Sequence, residues 1–355
     1  VPEFIQRDTG SYSDAQYQEY ILQGVSRTFA LTIPQLPKTL HHSVGNAYLL
    51  CRIADTIEDD PEMTLDQKVS YSKQFLEVLK GDLEADAFTR SLQGAVSSQQ
   101  PPGERDLIAN IARVVRVTHA LKPGVQKSLL RCVEVMSQGM SEFQRVAAHG
   151  LTSKHSFERY CYFVAGIVGE TFTQLYLEYA PEMRGNKAEL MRLSKCFGEG
   201  LQITNILMDL ATDYRRGVCW LPRETFHDYG VDLSKLPAAA DQPGFKKAVS
   251  TIVAQAHMDL RAALEYTLLI PSKEVGVRRF CFWSIGLALL SLKNFQQSQS
   301  FISNENTKIS RYAVKKIILL SKLCVTSDKL TRLLFNYLSA GLPLASIEVQ
   351  SGQPI

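Results

Sequence analysis

The sequence predicts an all-α protein, and three observations carry that prediction. Apolar residues recur at helical spacing along almost the whole chain, no long alternation of β-branched residues interrupts them, and capping and breaker residues fall between the periodic segments. With 355 residues, 45% of them hydrophobic, the chain can bury a large core. No stretch has the composition of an interdomain linker and no repeat of 20–50 residues stands out, so one α-helical domain over residues 5–345 is expected.

The elements follow in order. Pro37 opens a helix that runs to about Asp60, where Pro61 closes it. Thr64 and Gln67 form a capping-box pattern ahead of the next helix, and Gly81 ends that helix. Residues 99–103, Gln-Gln-Pro-Pro-Gly, form a turn. Further helices are expected over 104–121, 124–147, 154–179, 187–215, 244–268, 275–298, 308–322 and 327–339. A loop is expected at 238–244 and a frayed end at 350–355.

Lys and Arg total 39 against 36 Asp and Glu, a net of +3. So even a balance argues against nucleic acid as the main partner. Seven scattered cysteines, never spaced as CxxC, fit buried thiols in a reducing, cytoplasmic setting better than disulfides or zinc. The longest apolar run, Phe280 to Leu292, has 13 residues. A bilayer span needs about 20, so the run reads as a buried helix and no transmembrane segment is expected.

Two acidic stretches carry the chemistry. Tyr48, Arg52, Asp55 and Asp59 are separated by four, three and four residues. Those steps stack them on one helical face, with neighbours roughly 5–6 Å apart. Gln202, Asn205, Asp209 and Asp213 step by three, four and four, and apolar residues again fill the rest of the circumference. An acid pair at i and i+4 is common on a solvated helix surface. Two such pairs, each extended by an amide or an arginine and set in apolar sequence, suggest two faces meeting across a cavity. Oxygen-only donors suit Mg²⁺, which takes one or two carboxylates and completes its shell with water and phosphate. The histidines do not cluster at ligand spacing.

These residues resemble the squalene and phytoene synthase family, whose members join two prenyl diphosphates head to head. Asp55-Thr-Ile-Glu-Asp59 is similar to the family's first aspartate-rich motif, with its preceding Tyr and Arg at Tyr48 and Arg52. Asn205-Ile-Leu-Met-Asp209-Leu-Ala-Thr-Asp213, preceded by Gln202, is similar to the second. Tyr160-Cys-Tyr-Phe-Val-Ala-Gly-Ile-Val-Gly169 resembles a third signature, and Ser26-Arg-Thr-Phe29 a flap segment near the diphosphate. The chain departs from the pattern at Met208 and Val218, where the family commonly has arginines, and Arg215 and Arg216 are candidates to replace that charge.

The resemblance implies an isoprenoid-synthase helical bundle around a central cavity. It implies Mg²⁺ held by Asp55, Asp59, Asn205, Asp209 and Asp213, and substrate contacts from Ser26, Thr28, Phe29, Arg52, Val164, Gly169, Gln202, Asn205, Arg215 and Arg216. Tyr48, Tyr160 and Phe29 would present ring faces to a carbocation, and Tyr160 would assist proton removal. Small residues at Val164, Ala165, Gly166 and Gly169 permit either close helix approach or a trough for a prenyl chain, and the resemblance favours the trough.

The wording around Asp55 is more similar to the squalene-forming members than to the carotenoid-forming ones. That implies condensation of two farnesyl diphosphates through presqualene diphosphate, then NADPH-dependent reduction to squalene. The resemblance implies that Lys308, Arg311 and Lys315 meet the NADPH phosphates; no GxGxxG stands between a strand and a helix, so such a site is not of the Rossmann kind. The alternative is a dehydrosqualene or phytoene synthase that omits the reduction. An inert isoprenoid-binding scaffold would have lost motif aspartates, and all four are present. The resemblance further implies a soluble or peripheral form of bacterial type, with membrane contact called for by an apolar product.

Overall fold

The computed structural model describes residues 7–26, 28–143, 149–297 and 309–344. Sixteen α-helices make up the described part. They are α1 Asp14–Val25, α2 Phe29–Thr32, α3 Lys38–Asp59, α4 Leu65–Lys80, α5 Ala85–Ala95, α6 Pro102–Ala109, α7 Ile111–Ala120 and α8 Pro123–Phe143. The second half holds α9 Lys154–Cys161, α10 Ile167–Tyr179, α11 Lys187–Arg215, α12 Arg223–His227, α13 Pro243–Leu269, α14 Val275–Gln297, α15 Arg311–Cys324 and α16 Asp328–Ser339. Among the described residues there is no strand, only an isolated bridge between Leu151 and Pro222. The all-α expectation is met.

Local chemistry explains most helix ends. Ser13 and Thr64 each close a capping box with a glutamine three residues on, and Gly81 ends α4 at φ +85°, a conformation costly for any residue with a Cβ. Asp60 ends α3: its buried carboxylate accepts the backbone N–H groups of Glu62 (2.9 Å), Met63 (3.1 Å) and Ser97 (2.8 Å), turning the chain away from the first acidic face.

Three expectations are corrected. Helices α1 and α5 were not anticipated, although Ser13 and Gln16 carry the same box as Thr64 and Gln67. The segment expected as one helix over 104–121 breaks at Asn110, whose φ of −123° and ψ of 23° leave the helical region. The rod over 154–179 contains one wide π-turn, Tyr162–Gly166, between α9 and α10. The run at Phe280–Leu292 lies, as expected, in a buried helix; that helix has 23 residues and is long and apolar enough to cross a membrane by composition (mean hydropathy 1.4). Two thirds of that window is buried inside the protein (67%), so α14 is a core helix here.

The long α11 runs through the middle, packed against α10, α13 and α14, while α3 packs on α8. Side chains of Leu49, Leu50, Ile53 and Ile57 on α3 are fully buried, as are Leu207 on α11 and Leu260 and Ala263 on α13. Burial of those stripes fixes the rotation of α3 and α11, so their polar stripes have only one direction to face. All seven cysteines are free thiols, and five are buried.

Candidate active site

The polar stripes of α3 and α11 line one cavity of about 850 Å³. Arg52, Asp55 and Asp59 enter it from α3, and Gln202, Asn205, Asp209 and Asp213 from α11. Tyr160 and Val164, from α9 and the wide turn, line the same space with Met140 of α8. The two acidic helices are tied by Arg216, just past the end of α11. Its guanidinium donates to Asp59 Oδ1 at 2.6 Å and lies 3.9 Å from Asp213 Oδ1.

Arg52 is held from several sides. It donates to the Tyr48 hydroxyl at 3.0 Å and stands 4.0 Å from Asp55 and 3.8 Å from Glu104. Tyr48 in turn donates to the Val25 carbonyl at 2.8 Å, so its hydroxyl is anchored outside the cavity lining. The Nε of Arg52 is buried and has no acceptor among the described residues, an unspent donor beside the carboxylates.

Electrostatics set the character of the space. Burial, followed by the charge of Asp59, pushes the Asp55 carboxyl up to about 6 against the pull of Arg52. Burial, then Asp209, pushes Asp213 up to about 7 in spite of Arg216. Desolvation in the cavity raises Asp209, whose side chain is itself exposed, and raises Glu58 on the same wall much further. Carboxyls that hold on to protons when crowded together are a site that favours a multivalent cation. Their donor atoms are all oxygen, and they come from two facing helices. That set fits Mg²⁺.

At the apolar end, the Tyr160 ring stacks on Trp220 (centroids 4.1 Å apart, planes 8° apart) and meets the edge of Phe143 at 5.6 Å. Burial, then the charge of Glu58, raises the Tyr160 hydroxyl well above its ordinary value, so it stays protonated at neutral pH. Trp220, Glu58 and Lys68 line the cavity without having been singled out in the sequence. Glu58 lies inside the first motif but off the four-residue stripe. Trp220 belongs to no helix, so no periodicity marks it.

Other predicted residues stand elsewhere. Ser26 accepts the backbone N–H of Phe29 at 2.9 Å, and the Phe29 ring packs 5.1 Å from Tyr48 and 6.4 Å from Phe280. Ser26, Thr28 and Phe29 are outside the cavity lining. Arg215 turns back, its Nε donating to the Ala211 carbonyl at 3.1 Å; of the two candidate replacement arginines only Arg216 enters the cavity. Met208 packs against the core, whereas Val218 lines the cavity.

Gly169 is a correction to the expected trough. A Cβ there would lie 2.1 Å from the Ser194 carbonyl oxygen, and one on Gly198 would lie 2.0 Å from that of Ala165. Those glycines let α10 and the wide turn press on α11, and of the small-residue face only Val164 lines the cavity. Arg311 and Lys315 are exposed on α15 and do not line the cavity, while Lys308 lies outside the described residues.

The sequence pattern described as squalene/phytoene synthase matches residues 22–313 of this chain. The chain belongs to that family. The squalene synthase of Eremothecium gossypii is 27% identical over 277 residues, which is 77% of this chain. This chain spans about 60% of that relative's length. Among solved structures, "The complex structure of TcSQS with ligand, BPH1237" superposes with a TM-score of 0.77 at 24% identity, covering 92% of this chain and 91% of that one. A dehydrosqualene synthase in complex with ligand superposes at 0.60 and 23% identity, covering 87% and 95%. Both likenesses establish the fold.

Proposed function

We propose that this chain condenses two farnesyl diphosphates head to head through presqualene diphosphate, and that it completes the reaction as a squalene synthase does, by reductive rearrangement to squalene. The observation that carries the condensation is the meeting of both acid pairs in one cavity, bridged by Arg216. The squalene synthases among the curated relatives support the reductive ending.

Asp55, Asp59, Asn205, Asp209 and Asp213 would hold Mg²⁺, which supplies charge neutralisation to the departing diphosphate. The chain's own groups do the rest. Arg52 has a spare buried donor to give a phosphate oxygen, and Arg216 can exchange its carboxylate partners for phosphate. Gln202 and Asn205 add neutral amides on the same helical face. Once the allylic C–O bond breaks, the cation needs an environment without water. The stacked Tyr160 and Trp220 rings, with Met140 and Val164, provide apolar and π surface for it. The protonated Tyr160 hydroxyl can hydrogen-bond the leaving diphosphate oxygen that accepts the proton lost on cyclopropane closure.

A second reading stops at dehydrosqualene. It is favoured by one observation: Arg311 and Lys315, the candidates for the NADPH phosphates, are exposed on α15 outside the cavity lining. Lys308 lies outside the described residues, and no step is derived through that cofactor. Incubation with farnesyl diphosphate and Mg²⁺, with and without NADPH, separates the readings. Squalene only when NADPH is present supports the first, dehydrosqualene in both tubes the second, and no diphosphate release sinks both.

A further inference from the structure

Nine large apolar side chains are exposed among the described residues, and seven of them lie between Tyr312 and Leu344. Scattered exposed leucines are ordinary, but grouping on one element is not. On α15, Ile317 and Ser321 are buried while Tyr312 (78% exposed), Leu319 (63%) and Leu323 (69%) face outward. On α16, Thr331, Leu334, Phe335 and Leu338 are buried while Leu330, Leu333 and Tyr337 face outward. Each outer set follows steps of three, four or seven, a stripe along its helix. The stripes are neighbours, since Lys316 Nζ lies 5.7 Å from the centre of the Tyr337 ring.

Charge surrounds the apolar stripe and is one-sided. Arg311, Lys315, Lys316, Lys322 and Lys329 are all exposed. The sole acidic residue between Ile309 and Leu344 is Asp328, and Arg278 engages it at 2.7 Å. Arg332, the remaining cation there, is paired with Glu265.

We infer that the outer face of α15 and α16 is a docking surface for an anionic lipid bilayer. A second copy of the chain is a poor occupant, because a two-fold contact would set this cationic face against itself. An anionic bilayer answers both features. The leucines and tyrosines enter the headgroup boundary, and the lysines, whose stems run along apolar surface, meet lipid phosphates. With 14 and 12 residues these helices lie on the membrane; crossing takes about 20. The inference does not depend on the proposed reaction and can be tested without turnover.

The test is co-sedimentation of the whole chain with vesicles of phosphatidylcholine alone and of phosphatidylcholine mixed with phosphatidylglycerol. The expected result is binding to the mixture that weakens as salt is raised, and little binding to phosphatidylcholine. Leu319→Glu combined with Leu333→Glu should lower the bound fraction at least about ten-fold. Lys322→Gln with Lys329→Gln should lower it about ten-fold at low salt. All four positions are exposed, so an unchanged melting curve accompanies both variants. Undiminished vesicle binding by the leucine variant would overturn the inference. So would a wild-type chain that ignores anionic vesicles, or one that forms a dimer in solution which the leucine variant dissolves.

Discussion

At the scale of single residues, neighbours in sequence have unequal parts. Arg215 and Arg216 are alike on paper, yet one hydrogen-bonds its own helix and the other bridges Asp59 and Asp213 across the cavity. We therefore expect Arg216→Ala to lower kcat/KM for diphosphate release about ten- to a hundred-fold, the worth of one or two charge-assisted hydrogen bonds. Arg215→Ala should stay within about two-fold of wild type in the same assay, because only a local contact to Ala211 is lost. Equal losses in the two variants would mean that Arg216 does not meet substrate. Spacing put both arginines after the second motif; it could not say which of them the chain turns inward after α11.

At the scale of elements, the contact between α10, the wide turn and α11 is the joint that aims the second acidic face. Gly198 sits against the Ala165 carbonyl with no room for a methyl group. Gly198→Ala should destabilise the fold by about 1–3 kcal/mol in urea denaturation, the usual cost of overpacking. Gly94, inside α5 with open space at its Cβ position, serves as the contrast: Gly94→Ala should be neutral or stabilising by up to about 1 kcal/mol. The small-residue pattern was legible in the sequence, but its meaning was not. A trough and a tight crossing use the same residues, and only the position of the partner helix distinguishes them.

The same joint holds a half-buried acidic group outside the proposed site. Burial raises Glu199 to about 8 against the pull of Lys195, and burial raises the adjoining Asp259 to about 7. A folded-state value above the ordinary 4.5 means that the folded chain holds more protons than the unfolded one. Its contribution to stability is thus complete below about 4.5 and is lost as pH rises to about 8. In Glu199→Gln that part of the loss disappears, so melting temperatures of variant and wild type should diverge as pH rises and run parallel above about 8. Parallel curves throughout would show that Glu199 ionises freely.

At the scale of the whole molecule, the crowded carboxyls of α3 and α11 couple cation binding to stability. Metal-free protein should melt at lower temperature as pH rises from about 4 to 7, because Asp55 and Asp213 keep their protons in the folded state to about 6 and about 7. Mg²⁺ reverses that trend, since it binds the deprotonated groups. Calorimetry should show Mg²⁺ raising the melting temperature at pH 8 and losing most of that effect by pH 5.5. A Mg²⁺ effect independent of pH would place the ion away from these carboxyls.

The sequence by itself determined the helices, their caps at Thr64 and Gly81, and the two acidic stripes, because each depends on residues within a turn or two of one another. It also determined the family, through motifs whose order and spacing are linear facts. Tertiary structure alone decided that the stripes share a cavity, that Trp220 backs Tyr160, and that Gly169 is a crossing point. It decided too that α15 and α16 leave leucines and lysines facing outward together. Those facts depend on which helix lies against which, a long-range choice made by the packing of buried side chains and invisible to local spacing.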